Sequence, residues 1–182
     1  STTAVSSVIA GSELPELGAS DTDTENPNFS GSKNNLTVSG GNLFMTSFAN
    51  ANSTGVYDFN HDGNSYFDVG TSRTVRLSYA ITVARKHQDA VNGEVNWDDI
   101  PNNWDTWPNN FDTWTDEDAE FSDYGVVVEA RAADTVSNLT SESFVDASGE
   151  VVGRFVEFRA TLSNTGPKIT PNISALSATV EY

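Results

Sequence analysis

TVRLSYAITVA, residues 74–84, alternates with a period of two. Val75, Leu77, Tyr79, Ile81 and Val83 share one face, and Arg76, Ser78, Ala80 and Thr82 share the other. Successive side chains of a strand point to opposite sides, so this pattern predicts a β-strand with one wet face. Working outward, the same rhythm recurs. YGVVVEARA (124–132) puts Tyr124, Val126, Val128 and Ala130 on one side. VVGRFVEFRATLS (151–163) sets Val156, Phe158, Ala160 and Leu162 against Phe155, Glu157, Arg159 and Thr161. SALSATVEY (174–182) turns Leu176, Ala178 and Val180 inward. LTVSG, NLFMTSFA, GVYDF and SYFDV are shorter strand candidates, and Asp62-Gly63 in NHDGN is a hairpin turn signal between the last two. No stretch holds a 3.6-residue period over a dozen residues. Many half-wet strands joined by polar turns predict an all-β chain, an antiparallel β-sandwich with jelly-roll topology.

The chain has 182 residues, enough for one domain with a real core. Residues 1–34 are rich in Ser, Thr, Gly, Asp and Asn and read as a linker or assembly arm. Residues 35–182 read as the sandwich, with 86–123 as an inserted loop. Twenty-six acids against nine bases give a net charge of -17. That field repels nucleic acid and anionic membranes and favours neutral or cationic partners. Cysteine is absent, and two histidines, His61 and His87, are too few for a His-rich zinc site. The N-terminal stretch has no basic start and no long apolar run, so no signal peptide is expected. No apolar run approaches the roughly 20 residues of a membrane-spanning helix.

The insertion carries a repeat. Asn96–Asp116 divides into NWDDIPN, NWDTWPN and NFDTWTD. Trp97, Trp104 and Phe111 align, as do Asp98, Asp105 and Asp112, and as do Ile100, Trp107 and Trp114. Pro101 and Pro108 rule out the coiled coil that a period of seven suggests. Each unit reads instead as a short extended piece and a turn. The four tryptophans with Asp98, Asp105 and Asp112 are the candidate ligand-binding residues. Aromatic faces stack on sugar rings, and neighbouring Asp and Asn accept hydroxyl hydrogen bonds. Equally, the aromatics of such a repeat can pin a long loop to the sandwich, or meet a neighbouring subunit.

At these residues the chain resembles a known family. GVYDF, YFDVG, RTVRLSYAITV, the WD-rich stretch, YGVVVEARA and the closing GRFVEFRATLSNTGPKITPNISALSATVEY follow one another as in modules of siphophage tail-tip attachment (host-specificity, tail fibre) proteins. The closing phrase runs through Phe158-Arg159-Ala160-Thr161-Leu162, Pro167, Thr170-Pro171, Ser174, Leu176 and Ala178-Thr179-Val180. It is also similar to the last strands of galactose-binding-like, discoidin-type sandwiches. The likeness covers residues 55–182 and does not reach 1–50. It implies a β-sandwich in a virion tail, homo-oligomeric, contacting other tail proteins and a host cell-surface glycan. It carries over no catalytic residue.

The remaining motifs divide between a cation and plain structure. Asp58, Asn60, Asp62 and Gly63 match the opening of a calcium loop, D-x-N-x-D-G. The twelfth position is Val69 rather than Glu, with Asp68 one residue short. Asp58, Asn60, Asp62 and Asp68 are therefore candidate calcium ligands, and a plain hairpin is the competing reading. The acidic run Asp116, Glu117, Asp118, Glu120 and Asp123 is a second cation candidate or a solvated loop. Arg131, Arg154 and Arg159 either grip a carboxylate-bearing sugar bidentately or pair with strand neighbours such as Glu129 and Glu157. There is no GxSxG, no Gly-rich phosphate loop and no zinc motif, and carboxylate pairs arise by composition alone, so the chain is expected not to be an enzyme.

Overall fold

A computed structural model describes residues 18–87 and 124–182. Within them the chain is all-β with one helical turn, α1 (Val136–Leu139). The strands are β1 (Ser20–Thr24), β2 (Ser32–Asn34), β3 (Leu36–Ser39), β4 (Asn42–Met45), β5 (Thr54–Asp58), β6 (Phe67–His87), β7 (Tyr124–Ala133), β8 (Val145–Asp146), β9 (Glu150–Asn164) and β10 (Ile169–Glu181). Every pairing between them is antiparallel. The all-β sandwich expected from the alternation is what forms, curled so that the sheet nearly closes into a barrel. Of the inserted loop, Lys86 and His87 continue β6, and residues 88–123 lie outside the described residues. Among the described residues no helix is long and apolar enough to cross a membrane.

Two layers are organised around two long strands. β9 pairs with β7 on one edge, and on the other with β5 and the first part of β6. β10 pairs with the rest of β6 on one edge, and with β4 and β1 on the other. β6 thus belongs to both layers. It passes from β9 to β10 at Arg76, which lies opposite both Glu150 and Glu181, and before that its register against β9 shifts between Asp68 and Arg73, where Gly70 takes φ 83°. Core and alternation agree. Val156, Phe158, Ala160 and Leu162 of β9 and Leu176, Ala178 and Val180 of β10 are all fully buried. Phe158 meets the rings of Phe59 and Phe67 at 5.7 and 5.6 Å, between centroids. Burying such side chains is worth roughly 1.5–3 kcal/mol each before chain entropy is charged.

Three sequence readings need correction. First, the 74–84 strand and its wet face form as expected, but its inward face grades outward, with Ile81 and Val83 only half-buried against the core. Val75 and Leu77 are buried, but Tyr79 is 38% exposed. β6 pairs with β9 only as far as Arg76, and beyond that β10 alone flanks it among the described residues.

Second, GVYDF and SYFDV do not pair as a hairpin. β5 lies opposite Arg159–Ser163 and β6 opposite Glu150–Val156, end to end along the same edge of β9. The turn itself does form. His61 and Asn64 exchange backbone hydrogen bonds at 2.7 and 2.8 Å around Asp62 (φ 49°) and Gly63 (φ 85°). Positive φ at both central residues makes this the type I′ geometry that Asp-Gly favours. A Cβ on Gly63 would meet nothing within 4 Å. Gly63→Ala should therefore cost only its backbone strain, about 1 kcal/mol, a fall in Tm of roughly 2–4 °C.

Third, the 34/35 boundary is not the edge of the domain. β1 runs along β10 from Ser20↔Glu181 to Thr24↔Ser177. Glu25 is 4% exposed, and Phe29 is fully buried with its ring edge-on to Tyr57 at 5.9 Å. A segment this polar integrates through backbone pairing and one aromatic anchor, which apolar counting does not register. Residues 1–17 lie outside the described residues.

Candidate functional site

The two ends of the sandwich differ in what they hold. At one, Ala19 and Tyr182 exchange backbone hydrogen bonds of 2.9 and 2.8 Å, so the first and last strands meet there. At the other, β9 turns into β10 between Asn164 and Ile169. Tyr124, the first residue of β7, pairs with Asn164, and His87, the last of β6, pairs with Ile169. Residues 88–123 therefore leave and re-enter the sandwich at one end, on either side of the β9–β10 turn. Trp97, Trp104, Trp107, Trp114, Asp98, Asp105 and Asp112 all fall in that segment, outside the described residues.

Asn164 organises this end. Its side chain accepts from Ser53 N at 2.6 Å and donates to Ile169 O at 2.8 Å and Asn50 O at 3.1 Å. Its own N–H donates to Ser53 O at 3.1 Å, and Lys168 N, at φ 62°, donates to Phe48 O at 2.8 Å. One buried amide thus ties the 48–53 loop, the end of β9 and the start of β10 into a fixed platform beneath both roots. Its sequence signal is slight, an Asn before Thr-Gly that reads as an ordinary turn residue.

The calcium candidates are not assembled into a cage. Asp68 receives both Nε and Nη2 of Arg154 at 2.7 Å, and this ion pair holds its carboxyl below the usual range. Asp62 is at the exposed tip of the turn, 3.9 Å from His61 Nε2. Asn60 donates its side-chain amide to Ser30 Oγ at 2.8 Å. Asp58 lies on β5 opposite Arg159, and burial, with Glu157 nearby, raises its carboxyl. Among the described residues no three His, Asp or Glu side chains gather as a metal site. The D-x-N-x-D-G motif here builds a turn.

The arginines pair with strand neighbours. Arg131 meets Glu157 at 2.6 Å and Arg159 meets Glu129 at 2.9 Å, and both guanidinium groups stand over the Phe144 ring, at 4.4 and 3.7 Å from its centre. Their donor forks are engaged across β7 and β9, not turned toward a ligand.

One polar constellation has no counterpart in the sequence reading. The Tyr57 hydroxyl accepts from Gly31 N at 2.9 Å and donates to Glu25. Asn60 N donates to the other oxygen of Glu25 at 2.9 Å. Burial, with Asp23 adding to it, pushes the Glu25 carboxyl up to about 7, and burial with Glu25 beside it pushes the Tyr57 hydroxyl up as well. The only signal was the alternation of Asp21, Asp23 and Glu25 with Thr22 and Thr24, a strand with acids on one face. No family model, curated protein or solved structure matches the chain.

Proposed function

We propose that this chain is a non-catalytic phage tail module, part of a tail fibre or tail tip in the virion, whose inserted aromatic–acidic repeat contacts a host-surface glycan. The observation that supports it most is the placement of the roots. A repeat rich in Trp and Asp departs from the end of the sandwich opposite the meeting of the first and last strands. Both attachment points of the repeat are thereby gathered at one end of the fold, where a single contact surface can be presented. The heptads supply what sugar recognition uses, flat π faces beside carboxylate and amide acceptors. The resemblance of residues 55–182 to tail-tip attachment modules points the same way.

The test is binding of the purified chain to a bacterial glycan array, with calcium and with chelator, alongside Trp104→Ala and Trp107→Ala. Each substitution should leave Tm within about 2 °C of wild type and weaken binding by about 2 kcal/mol, roughly 30-fold in Kd. Binding by the wild type that both variants retain would remove these tryptophans from the contact. Variants that unfold would make the repeat part of the packing. No selective binding by any preparation would overturn the glycan reading in favour of a module that braces the tail tip through protein contacts.

A further inference from the structure

β1 is held in an uncommon way. Its sequence is SDTDT, and no side chain in it is apolar. Ser20, Thr22 and Thr24 are exposed, whereas Asp21 and Asp23 are half-buried and the Glu25 that follows is buried. Three carboxyl groups thus occupy alternate positions of one edge strand, where three full charges would repel one another. What fixes the strand is backbone pairing to β10, ending in Glu25 N to Leu176 O at 2.9 Å, and a hydroxyl bond from Thr22 to Thr179 at 2.8 Å. Polar groups facing the acids complete the attachment.

Those groups come from every element around them. Tyr57 of β5 donates to Glu25, and so does the Asn60 backbone. His61 Nε2 lies 3.0 Å from Asp21 and 3.9 Å from Asp62. Lys33 of β2 stands 5.7 Å from the Tyr57 ring centre, but its amine is spent on the carbonyls of Phe29 and Gly31 at 2.6 and 2.8 Å. Asp23 lies two residues before Glu25 on the same face of the strand, and its Oδ2 is buried without a hydrogen-bond partner. A buried acceptor facing a second carboxyl group is satisfied when one proton sits between them.

We propose that β1 is a pH-gated latch, held on the edge of β10 by one proton shared between the Glu25 and Asp23 carboxyl groups and loosened when that proton leaves. The sign follows from the direction of the shift. Glu25 lies near 7 when β1 is docked, against an ordinary 4.5. The docked state therefore binds the proton more tightly than the open one. Docking is strongest at and below the ordinary carboxyl range and weakens as pH rises toward 7. Above that both states are ionised and the dependence ends. Opening uncovers the Ser177–Glu181 edge of β10, a row of backbone donors and acceptors ready to pair with another strand.

Native-state hydrogen exchange of the full chain tests this, read as protection factors so that the intrinsic pH dependence of exchange cancels. Between pH 5 and 7 the protection of the β1 amides should fall by about 40-fold, and it should level off above that. At pH 7.5 they should be at least tenfold less protected than the β9 amides. Glu25→Gln should flatten the profile. Asp23→Asn, whose amide can donate to an ionised Glu25, should move the fall to lower pH, and it decides the matter if Glu25→Gln does not fold. A wild-type profile flat from pH 5 to 8, β1 protection equal to that of β9 throughout, or an unmoved fall in Asp23→Asn would each overturn the latch.

Discussion

Asn164→Ala is expected to lower the stability of the sandwich by about 4 kcal/mol, from a substitution that removes only a small polar group. The side chain is 2% exposed and is the hub beneath the roots of the insertion. Alanine strands the half-buried Ser53 N–H and leaves the buried Ile169 carbonyl, bonded at 2.8 Å in the wild type, without its donor. Each buried group left unsatisfied costs about 1–3 kcal/mol. Asn164→Asp should do no better. It keeps an acceptor for Ser53 but turns a carboxylate oxygen toward two carbonyls. Urea unfolding reads the result. With an m-value of about 2 kcal/mol/M, the midpoint should drop by about 2 M for either variant. A drop below about 0.5 M would mean that the 48–53 loop and the β9–β10 turn hold each other without the amide.

The second large effect is steric. Gly31 packs so closely on β5 that a Cβ there would sit 1.9 Å from the Asp58 carbonyl oxygen and 2.8 Å from the Tyr57 ring. Neither neighbour can yield cheaply. The carbonyl belongs to strand backbone paired with β9, and the Tyr57 ring is fully buried. Gly31→Ala must therefore lift the segment around Gly31. That breaks its 2.9 Å bond to the Tyr57 hydroxyl and loosens Phe29 against the core. The expected cost is about 4 kcal/mol, seen as a fall in Tm of about 10 °C. Gly40→Ala is the matched control. Gly40 has φ 58° and open space around it, so only its backbone strain of about 1 kcal/mol applies. Equal shifts in the two variants would refute the close-approach account.

What the sequence disclosed follows from where information is local. β9 and β10 were legible because both bury one face completely, so alternation maps directly onto inside and outside. The second half of β6 was legible as a strand but not in how deeply its inward face is covered. Whether Tyr79 is covered depends on which strands run beside it, and a strand's own residues do not state that. Asp62-Gly63 specified its turn correctly, because turn chemistry is written in two residues. It could not say that β5 and β6 would line up along β9 instead of pairing with each other. The Arg131–Glu157 and Arg159–Glu129 pairs were foreseeable as strand neighbours, whereas Asp68 with Arg154 required a register that only the fold supplies. The N-terminal strand was missed because its inward face is acidic, and the usual test for an inward face is hydrophobicity.

The placement of the two roots has a consequence for how such a chain can change. By ordinary strand and sheet spacings, the gap between them is about 20 Å, two strand-to-strand steps and one layer-to-layer step. Neither root shares its pairing with the other. Every strand pairing and core contact described above is made by residues outside the repeat, so adding or deleting one seven-residue unit removes none of them. Up to about 25 Å of chain per unit becomes available or is withdrawn. Repeat number is therefore a length that drift, recombination or deliberate grafting can alter in whole steps without removing a described strand. Variants with two or four units should melt at the same temperature as the parent.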